Sequence, residues 1–236
     1  MPDVAIVVPT YNERENLAEV TAAMLAALPE ASVLVVDDAS PDGTGALADE
    51  LARADGRIAV LHRPGKAGLA AAYVAGFGQV LRDPAVRYVV QMDADFSHDP
   101  RALPALLAPV RDGECDFAIG SRWVAGGGTR HWGVGRQLIS RGGSVYASLV
   151  LGVRVRDITA GFKCWRRAAL EDIDLGALKA RGFGFQIEMT WRALQRGWRA
   201  KEVPIVFSDR TRGASKMSRA IFVEALGLVW KLRLGR

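Results

Sequence analysis

Asp93 and Asp95 sit one residue apart where "VVQMDADFSHDP" (89–100) turns from apolar to acidic. Two carboxylates at that spacing can do one of two things. They can cap a solvated turn, or they can face a shared cation, and all-oxygen ligands suit Mg2+ or Mn2+. Spacing alone does not choose between them. The chain has 16 aspartates and a second such pair, Asp172 and Asp174 in "EDIDLG", which follows no apolar run. A motif this short takes its meaning from its surroundings.

Those surroundings are alternating strands and helices. "VAIVVP" (4–9), "SVLVVDD" (32–38), "IAVLH" (58–62), "YVVQM" (88–92) and "FAIGS" (117–121) read as short buried strands. Between them, Leu17, Val20, Met24, Leu25 and Leu28 share one helical stripe, with Asn12 and Glu15 at the spacing of a capping box. A second helix, "GTGALADELARA", follows the turn "SPDG"; Leu69, Tyr73, Gly76, Phe77 and Val80 mark a third, and a fourth runs from Pro100 to Val110. This order predicts an α/β fold in which a mostly parallel sheet is flanked by helices. Ligands of such sheets bind outside the carboxyl ends of the strands. "PTYNE", "DDASPDGT" and "DADFSH" all fall there, so three polar clusters meet at one edge. Neither G-x-G-x-x-G nor a P-loop follows the first strand, so a diphosphate bound at this edge needs another counter-charge. A cation on Asp93 and Asp95 would supply it.

With 236 residues, half of them hydrophobic, the chain can bury one full core. Cys115 and Cys164 lie too far apart in sequence for a metal or redox motif, which suits a reducing compartment. "MPDVAIVVPTYNE" has no basic leader, and no apolar run reaches the roughly 18–20 residues that cross a bilayer. A soluble or peripheral protein is expected. The net charge of +5 is segregated: residues 199–236 hold nine Lys/Arg against three Asp/Glu, and residues 121–156 hold six arginines and no acid. Such islands point to an acidic partner, whether nucleic acid, a phosphorylated substrate or an anionic membrane.

Taken together, "PTYNERENL" (9–17), "VVDDASPDGT" (35–44), "MDADFSHDP" (92–100), "GSRW" (120–123), "ITAGFKCWRR" (158–167), "GFGFQIEM" (182–189) and "RTRGASKMS" (210–218) resemble the inverting glycosyltransferases of family 2, with a Rossmann-like GT-A fold. Within that family the chain is most similar to the dolichol- and polyprenol-phosphate mannose synthases. The resemblance covers nearly the whole chain and rests on the order of seven motifs, none specific alone. It implies transfer of mannose from GDP-mannose to a polyprenyl (dolichyl) phosphate, with Mg2+ or Mn2+.

The resemblance also implies site residues. Pro9, Tyr11 and Glu13 would contact the nucleotide, with Val36 and Asp38 at the second strand end. Tyr11 could equally pack at a strand end, and Asp37 could cap the following turn. The backbone of Ala94 would lie against the donor while Asp93 and Asp95 face the metal. Ser97 stands where some members place a further ligand and is a weak oxygen donor; His98 suits a structural hydrogen bond better than metal ligation. Arg122, Arg136 and Ser140 would hold the acceptor phosphate, and guanidinium forks suit phosphate oxygens independently of the family. Arg122 and Asp95 are the expected catalytic pair, Arg122 also reaching the donor. Arg210 and Lys216 match a basic loop that closes on the donor diphosphate, although "RGASK" would also serve as a linker.

The expected organisation is a catalytic domain at 1–217 and a C-terminal amphipathic segment at 218–236, where Ile221, Phe222, Ala225, Leu226, Val229 and Trp230 recur at helical spacing beside Arg219, Lys231, Arg233 and Arg236. Residues 136–152 could form a second such helix. Each is consistent with an interfacial helix at the cytoplasmic face of a membrane or with a helix docked on its own core. Several relatives of the family carry transmembrane helices beyond this point and this chain stops, so two alternatives stand: a separate membrane-anchoring protein as partner, or a shortened chain. Two rivals remain at this stage. One is a polyprenyl-phosphate glucosyltransferase using a UDP donor. The other is a nucleic-acid-binding protein, for which Trp123 and Trp132 would be stacking platforms, but which leaves Asp93 and Asp95 without a role; no nucleic acid is expected.

Overall fold

The computed structural model describes residues 2–180, 182, 184–209 and 227–235. Its chain begins β1 (Val4–Thr10), α1 (Arg14–Ala27), β2 (Ala31–Asp37), α2 (Thr44–Ala54), β3 (Ile58–His62), α3 (Leu69–Val80) and β4 (Tyr88–Gln91). It continues through α4 (Leu103–Arg111), β5 (Phe117–Ser121), β6 (Gly128–Arg130), α5 (Val134–Leu151), β7 (Lys163–Arg166), α6 (Arg167–Asp172), α7 (Gly184–Gln195), β8 (Ala200–Pro204) and β9 (Val206–Ser208). The five strands expected from sequence are present within a residue or two of their predicted ends.

Seven strands form one sheet in the order β3-β2-β1-β4-β7-β5-β8. The chain steps outward from β1 to β3 and then crosses to the other side of β1 with β4, which opens a crevice at the strand ends where the order reverses. All pairings are parallel except those of β7, which runs antiparallel between β4 and β5. The insertion was not legible in the sequence, because "KCWR" is only four residues and two of them are charged. β6 and β9 form a separate parallel pair.

Apolar side chains pack on both faces of the sheet. Val7, Val36, Tyr73, Phe77, Phe117, Trp165 and Phe185 belong to one layer, and Ile6, Val8, Leu17, Met24, Val90, Leu103 and Phe162 to the other. α3 lies close on the first face because Gly76 has no side chain there: a Cβ would stand 2.5 Å from Val7 Cγ1. Of the C-terminal segment, Leu228, Val229 and Leu232 pack into the first layer, whereas Trp230 and Leu234 face outward. Residues 218–226 of that segment, with Ile221, Phe222, Ala225 and Leu226 of the stripe, lie outside the described residues.

The capping box does not form. α1 starts at Arg14, and Glu13 at its cap position makes no side-chain capping bond. The backbone N–H groups of Asn12 and Arg14 instead donate to Ser40 Oγ (3.0 Å) and Asp42 Oδ2 (3.2 Å). Caps arriving from the next loop in space replace the local ones.

Candidate active site

The first two loops are stitched into one unit at the carboxyl ends of β1 and β2. Thr10 Oγ1 donates to Asp37 Oδ1 (3.0 Å), and the Glu13 N–H to Thr44 Oγ1 (3.0 Å), beside the Asn12 and Arg14 bonds already described. Asp37 also accepts from the Ser40 N–H (3.1 Å) and Ser40 Oγ (2.6 Å), so it is the turn-capping residue. Its neighbour Asp38 faces the other way, accepting from Arg63 Nη1 at 2.5 Å and the Ala67 N–H at 3.3 Å. The Tyr11 ring carries Lys66 Nζ 4.1 Å from its centre. Glu13 is buried and accepts from Asn16 Nδ2 (3.1 Å). Pro9 and Val36 pair across the two strands, which brings the five expected nucleotide contacts to one edge.

At the third strand end, Asp93 is half-buried and accepts from Tyr73 Oη at 3.1 Å; Asp95 is buried and accepts the Ser97 N–H at 3.0 Å. Ala94 is buried between them. Non-glycine residues adopt left-handed backbone at Asn12 (φ 57°), Ala39 (φ 53°) and Phe96 (φ 58°), each following Tyr11, Asp38 or Asp95. Such conformations cost about 1–3 kcal/mol each and gather where a site constrains the backbone. The two carboxylates, one half-buried and one buried, fit an oxygen-seeking divalent cation that takes its remaining ligands from elsewhere. Among the described residues no His, Cys, Asp or Glu joins them as a third. Ser97 is buried nearby, and its N–H already serves Asp95. His98 is buried and stacked on Phe162 with ring centres 5.0 Å apart; its Nδ1 has no hydrogen-bond partner, so the expected structural hydrogen bond is not made at that atom. Burial holds its pKa below the ordinary value.

Across the edge lies the basic side. Arg122, 10% exposed, forks onto Asp157, which is fully buried: Nε to Oδ2 and Nη2 to Oδ1, both 2.7 Å. Asp157 also accepts the Arg122 N–H (2.9 Å), and Nη2 reaches Thr159 Oγ1 (3.0 Å). Among the described residues Nη1 makes no hydrogen bond, which leaves that edge for a ligand. The guanidinium sits 5.4–5.6 Å from the rings of Trp123, Trp132 and Phe207. Arg136 stacks on Trp132 at 4.1 Å and pairs with Asp209 at 2.8 Å. Arg136, Ser140 and Ser144 follow one another at four-residue spacing on α5, and Ser144 is the buried end, bonded to Thr159 (3.0 Å). A pocket of about 400 Å³ is lined by Arg122, Trp123, Thr129, Gln137 and Arg141 among others. Arg141 and Gln137 were not expected from sequence; the signal was there in "GRQLISR", where the two stand four residues apart, at helical spacing from each other. Arg210 and Lys216 lie outside the described residues.

Two carboxylates that could act as a base are fully engaged. Glu188 is buried and accepts from the N–H groups of Lys179 (3.0 Å) and Ala180 (2.9 Å) and from Arg192 Nη2 (2.8 Å). Asp157 is the counter-ion of Arg122. The decoy pair stays structural: Asp172 accepts from Trp198 Nε1 (2.8 Å), and Asp174 sits at a left-handed turn with φ 53°.

Comparison with known proteins places these features in context. Residues 5–174 match the model of a family described as "Glycosyl transferase family 2". The chain is 50% identical over 231 residues to the polyprenol monophosphomannose synthase of Mycolicibacterium smegmatis, covering 97% of this chain and 86% of that one. It is 48% identical over 223 residues to the undecaprenyl-phosphate mannosyltransferase of Micrococcus luteus, covering 94% and 90%. The crystal structure of Mycobacterium tuberculosis glucosyl-3-phosphoglycerate synthase with Mn2+, UDP and glucosyl-3-phosphoglycerate superposes with a TM-score of 0.70 at 20% identity, over 98% of this chain and 80% of that one. The same enzyme with Mg2+ and UDP gives 0.68.

Proposed function

The chain belongs to glycosyl transferase family 2 and is a glycosyltransferase, and from that premise we propose that it transfers mannose from GDP-mannose to a polyprenyl phosphate with inversion at the anomeric carbon. The observation that carries the reading is the pairing of two unlike charge sites across one sheet edge. Asp93 and Asp95 stand on one side, and the Arg122–Arg136 cluster on the other. The names of the two relatives, each about half identical over more than nine-tenths of this chain, supply sugar and acceptor class.

The proposed division of labour follows from charge. The stitched loops carrying Pro9, Tyr11, Glu13, Val36 and Asp38 hold the nucleoside. Asp93 and Asp95 hold Mg2+ or Mn2+, which when bound offsets the charge of the departing diphosphate. Arg122 through Nη1, with Arg136, Ser140 and the newly found Arg141, receives the acceptor phosphate; Arg210 and Lys216, outside the described residues, are the proposed further cations for the donor diphosphate. A phosphomonoester arrives already ionised, its second pKa near ~6, so no side chain has to remove a proton. The engagement of Asp157 and Glu188 with arginines and backbone N–H groups supports a base-free route. Positioning and charge neutralisation then do the catalysis.

The acceptor is a lipid, which bears on location. Among the described residues no helix is long and apolar enough to cross a membrane. α5 leaves Val134, Leu138, Val145 and Leu149 exposed along one stripe, with the exposed Arg141 between Leu138 and Val145. That stripe, with the 218–236 segment, is the proposed contact with the cytoplasmic face of the membrane, with or without a separate anchoring protein. The test offers labelled GDP-mannose and UDP-glucose with a polyprenyl phosphate and Mg2+. Lipid-extractable label from GDP-mannose, lost with EDTA, is the expected result; label from UDP-glucose alone overturns the donor assignment.

A further inference from the structure

Behind the metal-site strand lies a buried chain of amides whose orientation follows from a single donor. An indole N–H can only donate, and Trp165 Nε1 meets Gln91 at 2.8 Å, so the Gln91 oxygen faces the indole. The Gln91 amide nitrogen therefore donates to Gly161 O (2.9 Å) and to Gln186 (2.6 Å), which must present its own oxygen. Lys163 Nζ donates to the same oxygen (3.0 Å) and to the Gln186 carbonyl (2.9 Å). The orientation of Gln186 is thus forced, and its Nε2 points away from the network. That nitrogen is buried and, among the described residues, has no acceptor.

The place it faces is specific. The three atoms nearest an imagined Cβ on Gly161 are Gln186 Nε2 at 3.5 Å, His98 Cε1 at 3.8 Å and Asp93 Oδ2 at 3.9 Å. Gly161 and Asp93 are both half-buried, so this spot adjoins the partly exposed edge of the site. The His98 ring brings a second buried nitrogen without a partner, Nδ1, to the same neighbourhood. A buried donor left unsatisfied costs about 1–3 kcal/mol, so Gln186 Nε2, beside a carboxylate and a second unpartnered ring nitrogen, asks for a ligand with hydroxyl groups, which can both accept and donate.

We infer that Gln186 Nε2, the His98 ring and Asp93 line a slot, kept open by the missing side chain of Gly161, that hydrogen-bonds hydroxyl groups of the transferred hexose and so selects the sugar. A sugar hydroxyl both accepts and donates, and can take Gln186 Nε2–H while giving its own hydrogen to Asp93. The inference rests on the donor reading above, yet is tested apart from it.

The experiment measures binding by calorimetry, with Mg2+, of GDP-mannose, its monodeoxy analogues and GDP to the full chain. Gly161→Ala adds a methyl with no contact under 3.5 Å and no left-handed backbone to strain, so its melting temperature should stay within ~2 °C of wild type. Its affinity for GDP should change less than about twofold, while that for GDP-mannose falls about tenfold or more. One or more deoxy analogues should lose about tenfold on wild type and lose nothing further on Gly161→Ala. Gln186→Glu keeps an acceptor for Lys163 and replaces the outward donor with an oxygen, and should show the same selective loss. Equal losses for GDP and GDP-mannose, or deoxy analogues that all bind like the parent, overturn the slot. If wild type binds UDP-glucose and not GDP-mannose, the donor reading fails and the same comparison is made between UDP-glucose and UDP.

Discussion

The two halves of the site hold their charged groups in opposite ways. On the proposed nucleotide side, carboxylates and hydroxyls are tied to backbone N–H groups of neighbouring loops: Asn12 to Ser40, Glu13 to Thr44, Arg14 to Asp42. On the basic side, cations are held by carboxylates and rings, one pair buried and one exposed. Arg122–Asp157 is 10% and 0% exposed, whereas Arg136–Asp209 is 42% and 40% exposed. The first half is a preformed frame. The second contains one fixed cation and one whose counter-ion a phosphate can replace, because an exposed pair contributes only ~0–1 kcal/mol.

The largest effect expected from breaking this contrast comes from the metal pair. Asp95→Ala should cut turnover by about a thousandfold or more and abolish thermal stabilisation by GDP that depends on Mg2+. Asp174→Ala should stay within about threefold in the same assay, since surface changes away from a site are usually near neutral. Comparable losses in the two variants would mean the wrong pair was chosen.

Next is the fixed cation. Asp157→Asn leaves Arg122 buried without its counter-ion and should lose about 3 kcal/mol in urea unfolding, together with affinity for polyprenyl phosphate. A variant with wild-type stability would show that the pair is not what holds Arg122. The frame should respond less. Thr44→Val removes the acceptor for the Glu13 N–H and should lose about 1–2 kcal/mol, weakening GDP binding several-fold while the acceptor KM stays put. The smallest effect belongs to Asp209→Asn: melting temperature unchanged within ~1 °C and an acceptor KM lowered about twofold, as Arg136 is released to phosphate. A raised acceptor KM there would make the carboxylate part of the phosphate site.

How much of this could be read beforehand differs between the halves for a physical reason. The frame is built from residues adjacent in sequence to strand ends, so "PTYNE", "DDASPDGT" and "DADFSH" announced themselves by position. Even so, the capping box at Asn12 and Glu15 was a local reading of what proved to be a long-range tie to Ser40 and Asp42. Arg122 and Arg136 were legible as phosphate-seeking forks, but the Asp157 that grips one of them is 35 residues distant. Gln91 and Gln186, 95 residues apart, carry no periodic signal at all. Their meaning depends on which strands become neighbours, and that was hidden in the short antiparallel β7.

That insertion also sets the order in which the molecule can be assembled. β1 to β4 pair within the first 91 residues, so this half of the sheet can form while later residues are still being synthesised. Its outer strand, β4, then presents an unpaired edge until Lys163–Arg166 arrives, some 70 residues later, at the entropic cost of closing a long loop. β7 in turn brings Trp165 and Lys163, the groups that orient Gln91 and Gln186. A nascent chain therefore owns its proposed nucleotide loops well before it owns the proposed place for the sugar, and the open edge of β4 is the surface that chaperones or aggregation would meet in the interval.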